Sequence, residues 1–156
     1  MDPRFTPYID DLDRKLKALV SMEPVTPDTL PIDTCKRGIY LLSEGAKHLY
    51  IGRSNHIRRR LVNHCQPSAD HGKATFAFLL AREATGNLKA AYNKGPGSRQ
   101  GLLADADFSQ AFLGAKLRVK RMRVRFVEET DATKQALLEI YAAVVLQTPY
   151  NAFDNH

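Results

Sequence analysis

Two tyrosines, Tyr40 and Tyr50, are followed by Arg60 and His64, and a single carboxylate, Glu139, sits in an apolar stretch far downstream. The planar donor fork of an arginine suits a phosphate, and a carboxylate oxygen suits a hard divalent cation. Cleavage of a phosphodiester calls for such groups. It needs a deprotonated nucleophile, neutralisation of a developing dianionic phosphorane, and help for the leaving oxygen. Each residue also has a plainer explanation. Tyrosine is common in strands, and two of them across a ladder can be packing alone. A basic helix is commonly a solvated face. A buried carboxylate left unpaired is costly or takes up a proton, so Glu139 either pairs with an arginine across the core or holds a metal ion.

The elements that must position these groups can be read around them. Ile39, Leu41, Leu49 and Ile51 alternate as in a half-buried hairpin, with the turn signal at Glu44-Gly45-Ala46. A turn centred on Gly45 sets Tyr40 directly opposite Tyr50, with Cβ atoms about 5 Å apart, on the face away from the aliphatic residues. Ser54 and Asn55 suit the N-cap of a helix running to about Cys65. Ile57, Leu61 and Cys65 form its buried stripe, His56, Arg60 and His64 lie along the margin, and Arg58 and Arg59 point to solvent. This helix begins straight after Tyr50-Ile51-Gly52, so it folds back over the hairpin and brings Arg60 and His64 to the tyrosines. A last helix, from about Asp131 to Gln147 and stopped by Pro149, is apolar nearly all round and is expected to be buried. Ala136, Ala142 and Ala143 leave room beside Glu139 for an ion and its waters.

These positions together resemble the GIY-YIG nuclease family, whose name is spelled by Gly38-Ile39-Tyr40 and Tyr50-Ile51-Gly52. The pattern continues with Arg60 on the following helix, then Glu139 and Asn151, while His64 is similar to the extra histidine of the homing and restriction-enzyme branches. The resemblance covers about residues 36–64 and 117–153. It implies an α/β (α+β) domain, a small antiparallel three-stranded sheet flanked by helices. It implies a metal-dependent endonuclease acting on phosphodiester bonds, most readily in DNA, with one Mg²⁺ or Mn²⁺ on Glu139. Tyr40 would be the general base for the attacking water, Tyr50 and His64 would orient the phosphate or the base, and Asn151 would steady the site. A free phenol has a pKa of about 10, so neighbouring cations must lower it for such work. The residues alone also permit a metal-bound hydroxide. They permit a nucleic-acid-binding protein that keeps the fold without cutting, or a basic structural protein in which Glu139 pairs with an arginine.

Charge agrees with a polyanionic partner. The 156 residues carry a formal net charge of +6, yet residues 1–34 sum to −3, residues 35–126 to +13 and residues 127–156 to −4. Arg53, Arg58 and Arg59 are candidate phosphate contacts, as are Arg121, Arg123 and Arg125. The last three alternate with Met122, Val124 and Phe126 along a third strand read from Leu117 to Val127. That charged face is either a guard on an edge strand or a phosphate-binding ridge. Residues 1–34 read as a helical arm, Thr6 to about Met22, and a Pro-rich connector that packs on the domain of residues 35–156. Within that domain a helical insertion spans about 66–116, with helices near Lys73–Thr85 and Asp107–Ala115. Its basic loop, Asn93 to Gln100, either touches a nucleic-acid backbone or merely connects. Cys35 and Cys65 lack metal-ligand spacing and are expected to be free thiols. With no signal peptide, membrane span or appended DNA-reading domain in evidence, the cytoplasm is the expected location.

Overall fold

The structure is a computed structural model, and it describes residues 1–87 and 98–153. It is an α+β protein with one three-stranded antiparallel sheet in the order β2-β1-β3, where β1 is Gly38–Glu44, β2 Lys47–Ser54 and β3 Arg123–Glu128. The helices are α1 (Thr6–Ile9), α2 (Leu12–Ser21), α3 (Ile57–Cys65), α4 (Thr75–Thr85), α5 (Arg99–Ala104), α6 (Ala106–Lys120) and α7 (Ala132–Leu146). Two compact units divide the chain: Met1–Arg60 with Met122–His156, and Leu61–Arg121.

In the first unit the sheet lies against α2 and α7. Leu16 and Leu19 of α2, Ile39 and Leu41 of β1, Ile51 of β2, and Leu138, Ala142 and Ala143 of α7 form one buried cluster. The expected single N-terminal helix is broken at Asp10-Asp11, where the Asp11 carboxylate accepts from the Arg14 side chain and caps no backbone N–H. α2 is held to the start of α7 by a polar network. Lys15 pairs with the buried Glu129 at 3.2 Å and also donates to the Glu128 carbonyl, while Gln135 donates to the Glu129 carbonyl at 2.6 Å. α7 begins where Asp131 caps the Lys134 N–H and ends at Gln147, in the left-handed region at φ 51°. It is not buried all round as expected. It packs by one side only, leaving Ile140 45%, Val144 64% and Val145 51% exposed.

The hairpin register also differs from expectation. Glu44 pairs with Lys47, so Gly45 (φ 56°) and Ala46 form the turn and its centre lies between them. A bulge between Leu42 and Ser43 places one further residue, Leu49, on β2. Tyr40 therefore faces Gly52, and Tyr50 faces Leu42. The turn alone would shift the register by one and turn Tyr50 to the other face; the bulge adds a second shift and restores it. Tyr40 and Tyr50 thus share a face as diagonal neighbours.

The third strand begins later than expected. Residues 117–120 alternate in hydropathy, but Phe108, Phe112, Ala115 and Val119 recur at helical spacing and are all buried, so α6 runs through to Lys120. In this second unit Phe78 of α4 meets Phe108 and Phe112 of α6 edge-on, with centroids 5.2 and 5.7 Å apart. Lys116 lies over the Phe112 ring at 4.0 Å and donates to the Pro67 carbonyl at 2.8 Å. Arg99 and Gln100 open α5 behind the Ser98 cap; the rest of the expected basic loop lies outside the described residues. Among the described residues no helix is long and apolar enough to cross a membrane.

Candidate active site

β1 carries Tyr40 at the centre of the sheet, 1% exposed. Its ring lies over Gly52, where an added Cβ would collide with Tyr40 Cζ and Oη, and the backbone of Val127 leaves no room for a Cβ on Gly38. The two motif glycines therefore have a steric reason: one admits the phenol ring, the other the neighbouring strand. Tyr50 stands diagonally across, ring centroids 6.5 Å apart and planes at 48°. Arg60, at the end of the first turn of α3 and within the first unit, donates a hydrogen bond to the Tyr40 phenol oxygen. Burial raises the phenol pKa above its usual value, Tyr50 adds to the rise, and Arg60 opposes it by charge and hydrogen bond. Glu139 also acts on this phenol through its charge. Tyr40, Tyr50 and Arg60 thus meet in one unit, and Glu139 from α7 is near enough for its charge to act on the phenol. The environment of Tyr40 is, on balance, the reverse of the cation-lowered phenol expected from sequence.

Glu139 has an arginine partner. Arg53 Nε donates to Glu139 Oε2 at 2.8 Å, with the arginine side chain 50% exposed and the carboxylate 21%. Burial raises the Glu139 pKa, and Arg53 partly offsets that rise. Oε1 takes no hydrogen bond among the described residues. Whether a divalent cation suits this position can be judged from the donor set. No group of three or more His, Cys, Asp or Glu side chains gathers among the described residues. A half-buried single carboxylate fits a hard ion that keeps its waters and takes a substrate oxygen, as Mg²⁺ does.

Asn151 acts on the backbone. Its Oδ1 accepts from the Ile51 N–H at 2.8 Å and from the Thr148 hydroxyl at 2.7 Å, and its Nδ2 donates to the Ile51 carbonyl at 2.8 Å. The side-chain amide reproduces the paired bonds of an antiparallel partner on the edge of β2. Tyr150 N–H adds a 3.3 Å bond to the Leu49 carbonyl, so the chain end is fastened beside Tyr50. His64 belongs to the second unit and is fully buried rather than marginal. Its position three residues after Leu61 sets it within the buried stripe of α3.

The six arginines expected at phosphates divide sharply. Arg53 holds Glu139; Arg58 donates to the Leu30 and Pro31 carbonyls of the connector; Arg125 Nε donates to the Met22 carbonyl at 3.0 Å. Met22 caps the C-terminal end of α2, where an unpaired carbonyl favours a cation. Arg121 lies at the end of α6, in the second unit, so the expected three-arginine strand face is reduced to Arg123 and the half-buried Arg125. Arg59, Arg121 and Arg123 are exposed, with no side-chain hydrogen bond or ion pair among the described residues. Sequence reasoning missed the Lys15–Glu129 network, and it allowed an arginine partner for Glu139 without naming Arg53, since neither pair has a periodic signature. Comparison with known proteins finds no protein family, no curated protein and no solved structure that matches the chain.

Proposed function

We propose that this chain is a metal-dependent endonuclease of the GIY-YIG kind, hydrolysing phosphodiester bonds, most readily in DNA. The observation that carries this reading is the convergence of the Tyr40 phenol, the Arg60 guanidinium and the Glu139 carboxylate, from elements a hundred residues apart, with Tyr50 beside them. Packing does not require a buried phenol to be bonded to an arginine and within the field of a carboxylate. The pair of glycines that admit the ring, and the Asn151 clamp behind Tyr50, support the same reading.

In this reading Glu139 would hold one Mg²⁺ or Mn²⁺ through a carboxylate oxygen. When bound, the ion stabilises charge developing on the phosphate and its leaving oxygen. Arg60 would clamp a phosphate oxygen through its donor fork, and the Tyr40 phenolate would accept the proton of the attacking water to become the neutral phenol. Burial works against that last role in the substrate-free state and Arg60 works for it. Arg59 and Arg123, exposed and uncommitted among the described residues, are the first-unit contacts for the nucleic-acid backbone.

The Arg53–Glu139 pair favours a second reading, a protein that binds nucleic acid without cutting it. Supercoiled plasmid incubated with the protein in Mg²⁺, in Mn²⁺ or in chelator separates the two. Nicked or linear product that needs the metal supports the nuclease. Intact plasmid in every condition, bound equally with and without metal, favours the non-cleaving protein.

A further inference from the structure

Arg53 follows the second motif directly, on the edge strand, and its guanidinium is turned to α7. It meets the one carboxylate of the candidate site. Of the two partners the arginine side chain is the more exposed, 50% against 21%. The contact is a single Nε–Oε2 bond of 2.8 Å and not a two-bonded fork, a geometry that can open without dismantling any other hydrogen bond of either side chain.

The geometry points to Arg53 as a built-in competitor for the divalent cation. In the metal-free protein it neutralises Glu139, and it must swing away before Glu139 ligates an ion. Its release then frees a guanidinium on β2 for a substrate phosphate, so that metal and nucleic acid each favour the other's binding. This inference rests on the reading of Glu139 as the metal carboxylate. It adds that the site is closed by its own arginine when empty, and it reassigns Arg53 from a standing surface contact to one made available by the metal.

The test is calorimetric titration of Mn²⁺ into the wild-type protein and into Arg53→Ala, Arg53→Met, Lys47→Gln and Glu139→Gln, without nucleic acid. Arg53→Met keeps most of the stem and removes the charge. Lys47→Gln removes an exposed charge from the same strand and reports any general electrostatic gain. Removing a half-exposed pair should tighten Mn²⁺ binding about fivefold, about 1 kcal/mol at 1.4 kcal/mol per factor of ten. Both Arg53 variants should show it, Lys47→Gln should match wild type, and Glu139→Gln should not bind. Equal affinity in wild type and the Arg53 variants, with binding lost in Glu139→Gln, would overturn the competition and leave the metal site standing. An equal gain in Lys47→Gln would reduce the effect to net charge and also overturn it. No binding in any protein would remove the metal reading and this inference together.

Discussion

At Tyr40 two environments compete. The phenol is sealed in the sheet, which disfavours its anion, and it is bonded to a guanidinium, which favours it. Burial is the larger influence, so only a small fraction is ionised near neutral pH, and that fraction grows tenfold with each pH unit. A wild-type cleavage rate that climbs about tenfold per unit through the alkaline range is therefore expected if Tyr40 is the base. Tyr40→Phe should lower the rate by about 10²–10⁴, while Tyr150→Phe should leave it nearly unchanged. A flat pH profile and equal rates for the two variants would return Tyr40 to a packing role. The same substitution should also cost stability, because it removes a hydrogen bond with a charged donor. The residue types at Tyr40, Tyr50, Arg60, Glu139 and Asn151, and the meeting of the two tyrosines with Arg60, were legible in the sequence, but the backbone partners of Asn151 and Arg125 were not. A carbonyl at Met22 or Ile51 is the same group in every residue, so nothing in the amino-acid letters marks it as the acceptor for Arg125 or Asn151.

Among the elements, the hairpin and the last helix were legible because their apolar periods are unbroken. The register was not. It depends on a two-residue turn and a bulge that shift the pairing twice, and a sequence shows only that Tyr40 and Tyr50 have the same parity. The start of β3 was misread for a related reason: residues 117–120 satisfy both periods, and three buried aromatic and aliphatic residues upstream decide for the helix. This correction changes what the strand's arginines do. Arg123→Gln should leave the urea midpoint nearly unmoved and weaken binding to duplex DNA of any sequence. It should reduce the slope of log K against log salt by about one unit. Arg125→Gln should do the opposite, costing about 1.5–3 kcal/mol of stability through the lost bond to the Met22 carbonyl, with little change in slope. Anisotropy at several salt concentrations, beside denaturant melts, checks both. Identical behaviour of the two variants would contradict the division of labour.

For the whole molecule, the net charges of its three stretches and the α+β composition were readable in advance, whereas the way the N-terminal arm is attached was not. Lys15 and Glu129 are far apart in sequence and read as ordinary surface charges, but the pair is 18% and 10% exposed. Lys15→Met should cost about 3–5 kcal/mol by leaving Glu129 buried without its cation. An unchanged unfolding midpoint would show the arm to be loosely held. The Glu139 carboxylate is held at an energetic disadvantage: burial raises its pKa, and Arg53 only partly compensates. Such a group is unnecessary for folding, so Glu139→Gln should melt at or above the wild-type temperature at neutral pH, where the wild-type side chain pays for ionisation. The most direct measurement is plasmid cleavage in Mg²⁺ by wild type and Glu139→Gln, at protein concentrations where both bind the DNA equally. Metal-dependent cutting by the wild type and none by the variant is the expected result. Cutting by Glu139→Gln at the wild-type rate would contradict it.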